Sequence, residues 1–190
     1  MIWDLPTSLE VNGKQWEIRS DYRDILNVIV AFEDPDLKPE EKQYVALFII
    51  YKDFANMPPD DLKQAYEAAL WFIDGGKKEA KSSGPRTMDW EQDAAILFPA
   101  INSVAGREVR AMPYLHWWTF IGYFMEIQKG VFATVLQLRS KKAKKKKFEK
   151  DEQDFWRSNK EICELKPKLS TEEKEEKEKL LSILGGSDTR

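Results

Sequence analysis

Tyr114-Leu-His-Trp-Trp-Thr-Phe-Ile-Gly-Tyr-Phe-Met125 is apolar on nearly every side. A helix without a polar face is buried among other helices, so this stretch reads as the central helix of a bundle and sets the fold class as mainly α. It falls short of the roughly 20 apolar residues that cross a bilayer, as does the next most apolar run, Val45 to Tyr51. Both are expected to be buried helices, and no membrane is expected as a partner.

Working toward the N-terminus, Trp90, Ala94, Leu97, Phe98, Ile101 and Val104 recur at helical spacing, which predicts a helix from about Asp89 to Gly106. Leu62, Ala65, Tyr66, Ala69, Leu70 and Ile73 form the clearest stripe. It opens at Pro58-Pro59-Asp60-Asp61 and closes at Gly75-Gly76. Pro39-Glu40-Glu41 opens an earlier helix expected to run to about Phe54, and Tyr22, Ile25, Ile29 and Phe32 mark another that follows the N-cap candidates Ser20 and Asp21. Before them, two extended runs flank Asn12-Gly13, a pair suited to a two-residue hairpin turn. A small N-terminal β-hairpin is therefore predicted, its Val11, Trp16 and Ile18 packing on the helices because a lone hairpin is only marginally stable. Residues 75–88, rich in glycine, lysine and serine, read as a mobile loop.

Toward the C-terminus, Val131, Phe132, Val135 and Leu136 share a helix face that leads into Lys141-Lys-Ala-Lys-Lys-Lys-Lys147. Phe148, Phe155 and Trp156 then fall on one side of a polar helix, and residues 170–179 are almost wholly glutamate and lysine before the apolar Leu180, Leu181, Ile183 and Leu184. This divides the chain into a helical domain at 1–140, with its hairpin and loop, and a lysine-rich junction and charged, partly disordered helical tail at 141–190.

The chain has 190 residues and a formal net charge of −3, which argues against a surface coated in basic residues for non-specific nucleic-acid binding. Its single cysteine, Cys163, can form neither an internal disulfide nor a four-ligand zinc site, and this suits a reducing cytosol. The opening Met1-Ile-Trp-Asp-Leu-Pro lacks the pattern of a secretory signal. One histidine and one cysteine supply no nucleophile, base or metal constellation, so no enzyme activity, metal or cofactor is expected. His116 reads as a hydrogen-bonded core histidine, and Asp60-Asp61 and Glu40-Glu41 as first-turn acids that complement helix dipoles. No phosphate-cradling loop follows Gly75-Gly76.

Two features point to binding. Seven tryptophans exceed what core packing ordinarily needs, and adjacent Trp117 and Trp118 must point in different directions; with Phe155 and Trp156 they are the candidate partner contacts. Lys141, Lys142, Lys144, Lys145, Lys146 and Lys147 are candidate phosphate contacts beside aromatic residues, weighed against a solvated junction that the acidic tail could partly neutralise.

Three stretches carry a resemblance. Asn12-Gly-Lys-Gln-Trp-Glu-Ile-Arg-Ser-Asp-Tyr-Arg-Asp24, Met88-Asp-Trp-Glu-Gln-Asp-Ala-Ala-Ile-Leu-Phe-Pro-Ala-Ile-Asn102 and Leu115-His-Trp-Trp-Thr-Phe-Ile-Gly-Tyr-Phe-Met-Glu126 together resemble the bacteriophage Gp fifteen family of siphophage proteins, up to about Asn159. The resemblance implies a gene position between the tail tube protein and the tape-measure protein, where tail assembly chaperones are found. It implies as partners the tape-measure protein and the tail tube protein, in the cytoplasm of the bacterial host. It supplies no catalytic or ligand motif. The alternatives are a nucleic-acid-binding adaptor working through 141–147 and a minor structural component of the tail.

Overall fold

A computed structural model describes residues 4–77 and 84–185. It is mainly helical with a small hairpin, as the hydrophobic spacing predicts. The hairpin pairs β1 (Ser8–Val11) with β2 (Lys14–Glu17) in antiparallel register, Leu9 opposite Trp16. Asn12 and Gly13 both take positive φ, 47° and 79°, the requirement of the two-residue turn. Leu9, Val11, Trp16 and Ile18 are buried, and the turn is tied down by the Gln64 side chain, which accepts from the Asn12 backbone N–H at 2.9 Å.

Helix α1 (Tyr22–Glu33) is capped by Asp21, whose carboxylate accepts the backbone N–H groups of Arg23 and, across the fold, of Leu115. Helix α2 (Pro39–Ile50) stops four residues before the expected Phe54. The reason lies far away in sequence: the Arg19 guanidinium donates to the carbonyls of Phe48, Ile49 and Tyr51. A cation is thereby placed on the negative end of the dipole, and Tyr51 turns extended to bridge Ile18. The hairpin thus continues onto α2.

Helix α3 (Leu62–Ile73) packs against β1, and α4 (Ala94–Ala105) starts one turn later than the pattern suggests because Asp89 organises an irregular turn ahead of it. Gly106, at φ 69°, ends α4. The described ends of the expected mobile loop are held in place: Gly76 N–H bonds the Trp71 carbonyl, and Arg86 pairs with Asp89 and Glu33. Residues 78–83, the middle of that loop, lie outside the described residues.

Helix α5 (Trp117–Met125) comes from the apolar run. Its Phe120 stacks on Tyr22 at 4.4 Å between ring centres and lies near Trp117, Phe98 and Trp90, a buried aromatic cluster joining α1, α4 and α5. Helix α6 (Val131–Ala143) buries Phe132, Val135, Leu138 and Arg139 and runs through position 140 without a break. The short helices α7 (Lys150–Ser158) and α8 (Lys160–Cys163) follow, then α9 (Thr171–Gly185), which stands off the bundle. No helix is long and apolar enough to cross a membrane among the described residues.

Candidate functional site

His116, the only histidine, is the N-cap of α5. Its Nδ1 accepts the Trp118 backbone N–H at 3.0 Å, so the ring proton belongs on Nε2, which donates to the Pro6 carbonyl at 2.9 Å. Burial pushes its pKa down, opposed in part by the Pro6 bond. Both nitrogens are committed to structure, which leaves neither for proton transfer. Among the described residues, no group of three or more His, Cys, Asp or Glu side chains is placed to hold a metal ion.

The most highly organised polar cluster was not anticipated from the sequence. Arg139 and Asp93, both buried, form a bidentate pair at 2.7 and 2.8 Å. The remaining guanidinium N–H groups go to the carbonyls of Cys163, Thr87 and Ile162 at 3.0, 3.0 and 2.7 Å, so all five donors are used. Asp89, fully buried, accepts the N–H groups of Glu91 and Gln92 and lies 3.5 Å from Lys168. Burial acts to raise the Asp89 carboxyl, but those N–H groups with the Lys168 and Arg86 charges outweigh it and hold its pKa below the usual range. Lys168 also reaches Glu33 at 2.9 Å and Glu91 at 3.0 Å. With no donor left over on Arg139, this network serves to lash the segment 160–168 to α1, α4 and α6, and a cleft of about 350 Å³ beside it is lined by Arg139, Arg86, Cys163 and Trp156.

Of the candidate partner contacts, Trp117 is a core residue, 2% exposed, with its indole N–H bonded to the Ile73 carbonyl at 2.8 Å. Trp118 is half-buried, donates to the Phe72 carbonyl and meets exposed Trp71 edge-on at 5.4 Å. These two indoles line a cleft of about 590 Å³ with Pro6, Ser8 and Gly76. Phe155 and Trp156 are half-buried on α7. Trp156 lies 5.5 Å from Phe148, and the Lys142 ammonium sits over its ring at 4.3 Å.

The lysine run divides in two. Lys141 pairs with Glu152, and Lys142 lies 3.9 Å from Glu164. Lys144, Lys145, Lys146 and Lys147 are exposed, and none has a carboxylate partner within 4.0 Å among the described residues. The chain turns sharply there: Lys145 adopts φ 54°, and Lys146 N–H returns to the Lys141 carbonyl at 2.9 Å. Lys142, Lys145 and Lys146 thereby rim a cleft of about 430 Å³ floored by Phe148 and Trp156.

A third surface escaped the sequence reading. Tyr44 and Phe48, one turn apart on the outer face of α2, are 58% and 59% exposed and pack with Phe54 at 5.4 and 6.5 Å. The opposite face of α2 buries Ala46, Leu47 and Ile50. A helix apolar all round is usually covered all round, and here one aromatic face is open.

The family model described as Bacteriophage Gp15 protein matches residues 1–165. The chain belongs to that family. Membership makes it a bacteriophage-related protein, and the Gp15 match takes in the hairpin, the Arg139–Asp93 pair, the lysine run and α8, but neither Lys168 nor α9. No curated protein and no solved structure matches this Gp15 chain.

Proposed function

We propose that this Gp15 chain is a tail assembly accessory protein, a chaperone that binds the tape-measure protein in the host cytoplasm and works without catalysis. The observation that carries the reading is the open aromatic face of Tyr44, Phe48 and Phe54 on a body whose buried His116, Asp93 and Arg139 are committed to structure. A tape measure is a long, helix-rich chain whose apolar faces need shielding until tube subunits surround it. An amphipathic helix laid against an aromatic face is a recognised way to supply that shield. The resemblance adds the gene position beside the tape measure, with the tail tube protein as a second neighbour.

Co-expression with the neighbouring tape-measure protein tests this. A rise in its soluble yield, with co-purification of the two chains, is the expected result. An insoluble tape measure with no associated Gp15 chain overturns the reading.

The unpaired Lys144 to Lys147 favour a second reading, a nucleic-acid-binding adaptor. Its mark is an affinity that falls steeply with salt as phosphate contacts release counterions. The Lys142 ammonium over Trp156 counts against base stacking there, because it occupies a ring face that a base would need.

A further inference from the structure

The cleft after α6 and the helix α9 are two unpartnered surfaces of complementary character. The cleft has an aromatic floor of Phe148 and Trp156 and a cationic rim, and the four lysines at 144–147 lack counter-charges among the described residues. The ligand that fits such a place carries carboxylates beside aliphatic side chains. Helix α9 is built that way. Glu172, Glu173, Glu175, Glu176 and Glu178 outnumber Lys174, Lys177 and Lys179, and Leu180 and Leu181 follow, 60% and 59% exposed. Helical spacing puts Glu172, Glu176 and Leu180 along one side. That face carries acids on the side of the helix base and an aliphatic residue toward its free end.

The base of α9 is fixed: Thr171 donates to Asp36 through its backbone N–H at 2.8 Å and its hydroxyl at 2.7 Å. Beyond Lys174, no hydrogen bond or ion pair joins α9 to the bundle among the described residues. Fifteen residues of helix extend about 22 Å, enough to reach a neighbouring molecule.

We infer that α9 of one copy docks into the lysine-rimmed cleft of a second copy, and that reciprocal exchange of the two tails closes a dimer. Carboxylates of α9 meet Lys145 and Lys146 on the rim, and Leu180 covers Phe148 on the floor. A reciprocal exchange uses the same two patches on each copy and therefore terminates at two subunits. The inference is independent of the tape-measure reading.

Sedimentation velocity of the full chain at about 50 mM and about 500 mM salt tests it, since exposed charge pairs are screened between those limits. A dimer at low salt whose dissociation constant rises at least about tenfold at high salt is expected. Lys145→Glu with Lys146→Glu, and separately Glu172→Lys with Glu176→Lys, should each give a folded monomer by circular dichroism. Mixing the two charge-reversed chains should restore association, because a lysine-bearing tail then meets a glutamate-bearing cleft. A native chain that stays monomeric at low salt overturns the inference. So does association that survives either reversal, or a mixture that remains monomeric.

Discussion

Arg139 and Asp93 meet through two hydrogen bonds at 2.7 and 2.8 Å with side chains only 5% and 2% exposed, 46 residues apart in sequence. Breaking a buried pair by removing one partner leaves a charge without water or counter-ion, which typically costs about 3–5 kcal/mol. Arg139→Met is therefore expected to lower stability by that order and to loosen α8, whose Ile162 and Cys163 carbonyls lose their donors. Arg139→Lys should not rescue, since an ammonium has three N–H groups against the five used here. Arg139→Met with Asp93→Asn should recover part of the loss, since it removes the second charge while an amide oxygen still accepts the Asp89 N–H. Urea unfolding followed by tryptophan fluorescence measures all three, and an Arg139→Met chain as stable as the native one would show that the pair holds nothing together.

His116 supplies a pH dependence whose sign can be worked out. Its folded-state pKa lies below the ordinary 6.5 because of burial, so as pH falls through 6.5 the unfolded chain takes up the proton first. Stability is fully present above that value and is lost toward the lower, folded-state pKa. Protonating Nδ1 would also abolish its acceptance of the Trp118 N–H and uncap α5. The native chain should be measurably less stable at roughly pH 5.5 than at 7.5, above the range where carboxylates titrate. His116→Asn keeps a capping oxygen and does not titrate, so its stability should be flat over the same interval. An equal slope in the two chains would exclude His116 as the source.

The features legible in the sequence were those written locally. Asn12-Gly13 specified the hairpin turn, the apolar run around Trp117 specified a helix though not the fully buried one expected, since only its Trp117 and Phe120 are buried and Met125 is 60% exposed, and His116 beside two tryptophans read correctly as a satisfied core group. The features that were not legible depend on distant partners. The end of α2 is set by Arg19, some thirty residues earlier in the chain, and nothing near Tyr51 announces it. Arg139, two residues before the basic run, carried no signal of its own, yet it points inward while Lys144 to Lys147 point out. Asp89 and Asp93, four apart, looked like the first turn of a helix. The aromatic face of α2 was hidden for a different reason: both sides of the helix are apolar, so periodicity could not say which side is covered. The i, i+4 spacing of Tyr44 and Phe48 was the signal available for it.

The cleft at Trp118 depends on a backbone position. Gly76 has φ 79°, and a Cβ there would lie 2.9 Å from the Trp118 ring. Gly76→Ala is therefore expected to cost about 1–2 kcal/mol from the left-handed backbone alone. It should also shift the Trp118 emission as the ring gives way. Gly122→Ala is the control: it sits inside α5 with nothing within 4 Å of an added Cβ, and should be neutral or stabilising by about 0.5–1 kcal/mol. A thermal melt that ranks the two variants the other way round would mean the Gly76 turn is not held as described.

The proposed chaperone surface can be separated from the fold because its residues are half exposed. Tyr44→Ser with Phe48→Ser removes two rings that lie mostly in solvent, so unfolding free energy should change by less than about 1 kcal/mol. If α2 presents these rings to a tape-measure helix, the same pair should abolish co-purification and rescue of the tape measure, since aromatic anchors dominate such contacts. Trp71→Ser tests the neighbouring cleft in the same way. Loss in the α2 variant with retention in Trp71→Ser assigns binding to the triad, and the reverse assigns it to the indole cleft. Full rescue by a chain carrying all three substitutions would remove both surfaces from the binding reaction.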